Sequence, residues 1–176
     1  KSEIILKVNY PPEEEINYIQ DKSILIGLFD SILNKEITNK LIKKAIKIFS
    51  LNLLPRIAKA QSMDVLSSQA NLAGYRAVIE SVAEFGKAVP MMMTAAGTVT
   101  PAKVLVIGAG VAGLQAVATA KRLGGIVSAT DVRTATKEQV ESLGGKFLSV
   151  KGEENLETVG GYAKELGEEF KKKQSE

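Results

Sequence analysis

The chain contains no cysteine, no histidine and no tryptophan. Without cysteine it has neither disulfides nor thiolate metal sites. Without histidine it lacks the commonest metal ligand, the usual general base and every Ser-His or Cys-His dyad, so no metal site is expected. Aromatic residues make up only 5% of the sequence, which argues against base-stacking platforms for single strands. Charge of one sign is scarce too: 23 Lys+Arg against 20 Asp+Glu leave +3, too balanced to predict a nucleic-acid partner. What is present is ordinary for a globular protein, with 176 residues, 45% hydrophobic and 24% charged. That excludes wholesale disorder and leaves room for one ordinary domain or two small ones.

Lys1-Ser2-Glu3 leads into an apolar run too short for the core of a signal peptide. Residues 88–120 carry a single charge, Lys103, but Pro90, Gly97 and Pro101 interrupt the first half of the stretch. Residues 104–120 fall short of the roughly 20 that a membrane span needs. A strand, a turn and a helix fit this stretch better than a transmembrane helix, and the sequence reads as that of a soluble chain.

Strand and helix signals alternate along the chain, which suggests a parallel α/β layer. Ile4-Ile5-Leu6-Lys7-Val8 predicts a strand, Glu13-Glu14-Glu15 the start of a short helix, and residues 23–29 a second strand. Asn34 is placed to cap the next helix, with Ile37, Leu41, Ile42, Ala45 and Ile48 on one face. Lys40, Lys43, Lys44 and Lys47 take the other face, where a solvated surface explains them without a partner. Residues 50–54 predict another strand and residues 62–85 one long helix stopped by Gly86. Residues 91–101, punctuated by glycine and proline, suggest a crossover and a domain hinge.

The clearest motif follows. Lys103-Val104-Leu105-Val106-Ile107 predicts a buried strand, and Gly108-Ala109-Gly110-Val111-Ala112-Gly113 comes directly after it. In such a turn the first glycine permits the tight exit from the strand and the second lets a pyrophosphate approach the backbone. The third lets the helix pack on the strand. Phosphates then face free N–H groups at the positive end of the helix dipole. The next strand, residues 126–130, ends at Asp131, 23 residues beyond Gly108 and close to the roughly 20 expected of a ribose-binding acid. An ionised carboxylate there accepts from ribose hydroxyls and repels a 2′-phosphate by about 1–4 kcal/mol at ~4 Å, favouring NAD(H). Arg133 is open to three readings: accommodating a 2′-phosphate, pairing with the pyrophosphate, or pointing to solvent. Thr136-Lys137-Glu138-Gln139 fits a capping box, and residues 146–150 predict a third strand. These elements make one mononucleotide-binding half of a doubly wound sheet. Residues 153–176 read as a polar helical tail, and the chain as a piece of something longer.

A second cluster is the polar run over residues 56–71, where Asp64, Ser67, Ser68 and Asn71 would share one helix face. Taken alone it is explained by a cap and a hydrated surface. With its neighbours it carries a resemblance. Pro55-Arg56-Ile57, Gln61-Ser62-Met63-Asp64 and Ser67-Ser68-Gln69-Ala70-Asn71-Leu72-Ala73-Gly74-Tyr75-Arg76-Ala77 resemble the alanine dehydrogenase and pyridine-nucleotide transhydrogenase superfamily. Met91-Met92-Met93-Thr94-Ala95-Ala96-Gly97-Thr98-Val99, Gly113-Leu114-Gln115 and Thr130-Asp131-Val132-Arg133 narrow the resemblance. They are similar to the soluble NAD(H)-binding α component of its proton-translocating NAD(P) transhydrogenases.

The resemblance implies an α/β protein of parallel-sheet, Rossmann-like lobes in three layers, the second lobe only partly present. It divides the chain into the end of an N-terminal lobe (1–61), a connecting helix and hinge (62–102), the first half of an NAD-binding domain (103–152) and a tail (153–176). It implies Arg56, Gln61, Asp64 and Ser67 around the nicotinamide and its ribose, with Gln61 also facing a partner component. Gly108, Ala109, Gly110, Val111, Ala112 and Gly113 would hold the pyrophosphate, and Asp131, Val132 and Arg133 the adenosine ribose. It further implies a homodimer on the cytoplasmic face of the inner membrane, attached to a membrane proton channel and an NADP(H)-binding component. Direct hydride transfer between nicotinamides needs positioning and exclusion of water, not a general base, so the missing histidines present no obstacle. Arg56, Gln61 and Asp64 would be positioning groups. The alternatives are an alanine dehydrogenase, which needs a proton acceptor that is not evident here, and a non-catalytic NAD-sensing module.

Overall fold

The structure, a computed structural model, describes residues 2–30, 34–55 and 57–149. It divides into two compact units, Lys1–Leu66 and Ser67–Glu176.

The first unit is a three-stranded parallel sheet in the order β1 (Ile4–Lys7), β2 (Ile24–Gly27), β3 (Lys47–Ser50). Ile4 pairs with Ile24, and Ile24 with Lys47. Helices α1 (Glu13–Ile16) and α2 (Lys35–Lys43) connect the strands. Ile16, Ile19, Leu25, Phe29, Leu41 and Ile46 form the core. Tyr10 stacks on Phe29 at 4.7 Å between ring centroids, and its hydroxyl meets the Thr38 hydroxyl at 2.8 Å.

Three local expectations change here. Helix α2 stops at Lys43, so of the predicted apolar face Leu41 is buried, Ile42 is exposed, and Ile48 belongs to β3. Asn34 occupies the N-cap position without a capping bond; its amide donates back to the Asp30 carbonyl at 3.2 Å. The strand expected over residues 50–54 ends at Ser50 and gives way to a 3₁₀ turn, Leu51–Leu53. The Phe29 N–H donates to Asn52 Oδ1 at 3.1 Å and to Ser50 Oγ at 3.3 Å, so polar side chains at the strand end hold the backbone in a turn. Two of the lysines on α2 and just after it meet acids, Lys40 with Glu13 and Lys44 with Asp21, as a solvated face would have them.

The second unit contains the long helix α3 (Val65–Phe85), an antiparallel hairpin of β4 (Met92–Thr94) and β5 (Gly97–Val99), and a second parallel sheet. In that sheet β6 (Lys103–Ile107), β7 (Ile126–Thr130) and β8 (Lys146–Phe147) lie side by side in that order. Helices α4 (Val111–Arg122) and α5 (Thr136–Ser142) make the crossovers. The core comprises Val78 of α3, Ala109, Val117 and Ala120, Val127 and Ala129 of β7, and Val140 of α5. The apolar run of β6 is less buried than expected, with Leu105 57% and Ile107 75% exposed. Among the described residues β6 pairs only with β7, so one edge of it is unpaired. The tail over residues 153–176 lies outside the described residues, and so does Val150, the last residue of the predicted third strand.

Helix α3 starts at Val65 rather than near Ser62, because a 3₁₀ stretch, Ala58–Met63, takes up the preceding residues. Asp64 therefore sits just outside the helix, and only Ser67, Ser68 and Asn71 of the predicted polar face are helical. Among the described residues no helix is long and apolar enough to cross a membrane.

Candidate functional site

The register of β6 on β7 builds the site. Ile107 pairs with Thr130, so the two strands end together and their following residues share one edge of the sheet. The Gly108 N–H donates to the Thr130 carbonyl at 2.8 Å, which extends the ladder by one residue. The chain then turns. Gly108 has φ +93°, a left-handed conformation that a side chain would strain. Gly110 caps α4, and the first intrahelical bond runs from the Leu114 N–H to the Gly110 carbonyl at 2.8 Å. The amides of Val111 and Ala112 thus belong to the first turn, where no intrahelical acceptor is available. A Cβ at Gly113 would overlap the Gly108 carbonyl oxygen, so this glycine seats the helix on the turn.

Asp131 reaches back to the same turn. Its side chain is only 5% exposed, and Oδ2 accepts from the Ala109 N–H at 2.7 Å. Three further donors come from Arg133. The backbone N–H and Nε reach Oδ1 at 2.9 and 2.8 Å, and Nη2 reaches Oδ2 at 2.8 Å. Burial pushes the carboxyl up, but the Arg133 side chain, the two backbone N–H donors and the guanidinium charge outweigh it and hold the group below the usual carboxylate value. Asp131 is therefore an ionised acid at neutral pH. Of the three readings of Arg133 made from the sequence, none describes its position, which is on Asp131 itself. Its guanidinium also overhangs the turn, since a Cβ at Gly110 would meet Nη2 at 3.7 Å.

Thr136 is not the cap of α5, a position that falls to Ala135. Its hydroxyl and its N–H both donate to the Arg133 carbonyl, at 2.7 and 3.1 Å, so a residue expected to cap a helix instead braces the Arg133 loop.

Of the predicted residues, Gly108 to Gly113, Asp131, Val132 and Arg133 come together at this edge, with Ala109, Asp131 and Val132 buried. Gln61 lies exposed in the 3₁₀ stretch, and Asp64 follows, half-buried, its N–H donating to the Gln61 carbonyl at 3.2 Å. Ser67 is half-buried in the first turn of α3. Arg56 lies outside the described residues. Gly74 escaped functional reading altogether, although a Cβ there would overlap the Ala112 carbonyl oxygen at the start of α4. The available signal was a glycine inside a long helix, which costs about 1 kcal/mol and commonly marks close packing.

Chemically, the turn fits a dinucleotide. Gly110 presents backbone that no Cβ covers, the first amides of α4 point out of the helix, and an ionised acid stands at the end of the adjacent strand. Sheet, turn and acid define the class, an α/β protein of Rossmann-like architecture. The family follows from comparison with known proteins. The alanine dehydrogenase/PNT C-terminal domain matches residues 77–174 and the corresponding N-terminal domain residues 1–73, and the chain belongs to this family. An NAD(P) transhydrogenase subunit alpha chain of Rhodospirillum rubrum is 56% identical over 183 aligned residues, covering 100% of this chain and 48% of that protein. The crystal structure of transhydrogenase from Sinorhizobium meliloti matches at 55% identity with a TM-score of 0.79, over 85% of this chain and 45% of that one. An L-alanine dehydrogenase shares the fold, with 21% identity and a TM-score of 0.67 over 84% of this chain and 42% of that one. The chain thus spans about half the length of the relatives it matches. The expected α/β fold with parallel, Rossmann-like sheets agrees with both structures.

Proposed function

We propose that this chain is the NAD(H)-binding portion of a proton-translocating NAD(P) transhydrogenase. The observation that supports it best is the bond from Ala109 N–H to Asp131, which ties a phosphate-type glycine turn to a ribose-type acid. Gly108 to Gly113 hold the diphosphate through backbone N–H groups, and Asp131, Val132 and Arg133 form the adenosine-ribose end. Arg56, Gln61, Asp64 and Ser67 surround the nicotinamide and its ribose. A bound nicotinamide supplies or accepts the hydride. The protein groups orient the ring edge and exclude water, work that calls for amide, hydroxyl and guanidinium groups and for no base.

On this reading residues 1–61 end an N-terminal lobe, 62–102 form its connecting helix and hinge, 103–152 begin the cofactor domain, and 153–176 continue it. The acceptor, NADP(H), is carried by a partner component. The chain works as a homodimer held at the cytoplasmic face of the membrane beside the proton-channel component. High identity to transhydrogenase subunits alpha supports this reading over an amino-acid dehydrogenase.

Calorimetry with NADH on the purified chain tests the cofactor site. Hydride exchange after addition of the NADP(H)-binding component, within the complete complex, tests the reaction. Absence of heat with NADH and NAD+ defeats the cofactor assignment. Alanine-dependent NAD reduction by the complete protein, without exchange to NADP(H), defeats the assigned reaction.

A further inference from the structure

A carboxylate has about four lone-pair positions, and those of Asp131 already receive four donors. Two are backbone N–H groups. Ala109 is fixed by the glycine turn, and the Arg133 backbone is pinned through its carbonyl by Thr136. The other two belong to the guanidinium, the only one of these groups on rotatable bonds. It is also the more exposed partner, 18% against 5% for Asp131. A ribose diol that comes to the acid brings two new donors, and the guanidinium must give up its places to them.

We infer that Arg133 is a competitor for Asp131 that sets the adenosine-ribose preference of the site. It occupies the oxygens a 2′,3′-diol needs, and it neutralises the acid that would otherwise repel a 2′-phosphate. NAD(H) binding therefore works against this ion pair, while NADP(H) binding leaves it in place. This inference rests on the cofactor reading above.

The test compares Kd values for NADH and NADPH, by calorimetry, in the unmodified chain and in Arg133→Met, which keeps the length of the side chain without its donors. NADH affinity is expected to rise roughly three- to tenfold and NADPH affinity to fall by a similar factor, as for removal of a half-buried charge-assisted pair. Arg133→Lys keeps the charge but loses the two-pronged contact, so it should gain NADH affinity and retain most of its NADPH affinity. In the unmodified protein the Arg133 Nε–H resonance should shift on titration with NADH and stay in place with NADPH. Unchanged or weaker NADH binding by Arg133→Met overturns the inference, because an arginine that grips the pyrophosphate gives that result. If Arg133→Met does not fold, the lysine variant and the Nε–H titration decide by the same signs. If the unmodified chain binds neither nucleotide, the cofactor reading itself fails, a different result from binding that Arg133 does not influence.

Discussion

Gly74, on the middle of α3, lies directly against the backbone of Ala112 in the first turn of α4, so closely that a Cβ would overlap the Ala112 carbonyl oxygen. Only Gly74 and Val78, one helical turn apart, are buried on this 21-residue helix. The contact is therefore the point at which the long helix supports the end of α4 that carries the glycine turn.

Gly74→Ala forces the two backbones apart. Overpacking of this kind costs about 1–3 kcal/mol. A lower thermal midpoint is expected, together with weaker NADH binding, since the displaced element carries the phosphate-facing amides. A melting curve and a calorimetric titration check both. An unshifted midpoint shows that α3 gives way easily and is no support for the turn.

Asp131→Ala removes the acceptor shared by Ala109 and Arg133 and leaves the Ala109 N–H without its partner. Loss of bonds to a charged group predicts at least roughly tenfold weaker NADH binding. Arg133, released from the acid, is then available to a 2′-phosphate, so the NADH/NADPH preference narrows from both sides. Equal affinities for both nucleotides before and after the substitution remove Asp131 from the site.

The same acid gives the fold a pH dependence. Burial raises its pKa, but the Arg133 and Ala109 contacts more than offset this, so the folded value lies below the unfolded one. Such a group contributes stability that is fully present above the unfolded value, about 3.9, and is lost as pH falls through the depressed folded value. Urea denaturation of the unmodified chain and of Asp131→Asn should show a constant stability gap between pH 7 and 5 and a shrinking gap below pH ~4. A gap that widens in acid reverses the sign and means that the carboxyl is held protonated.

The features of the site legible in the sequence are those whose causes are local. Gly108 and Gly113 are required by a turn and a close approach within six residues of chain, and Asp131 by the end of the very next strand. Gly74 answers to a backbone in a different helix, which no spacing along α3 discloses. Arg133 was ambiguous because its candidate partners, phosphate, solvent and carboxylate, are all compatible with the sequence, and only the Thr136 brace places it on Asp131. Thr136 itself has the spacing of a capping box, but the Arg133 carbonyl three residues back takes its hydroxyl. In the first unit the parallel strands were readable from apolar runs. The break after Ser50 was not, because it depends on the Phe29 N–H reaching the Ser50 and Asn52 side chains across the sheet.

Gln61 separates cofactor binding from hydride exchange. It is exposed in the 3₁₀ stretch that precedes α3, and its carbonyl accepts from the Asp64 N–H, so its backbone is held while its amide side chain extends outward. If that amide sets the distance between two nicotinamides, Gln61→Asn draws the same group back by one methylene. Misplacement on the order of 1 Å predicts a loss of roughly 100-fold in exchange, with NADH affinity changed far less. Single-turnover exchange in the complete complex, at saturating NADH and NADP+, reads the first quantity, and calorimetry on the purified chain reads the second. Collapse of NADH affinity with normal exchange at saturation would make Gln61 a binding residue and leave the positioning of the rings to Asp64 and Arg56.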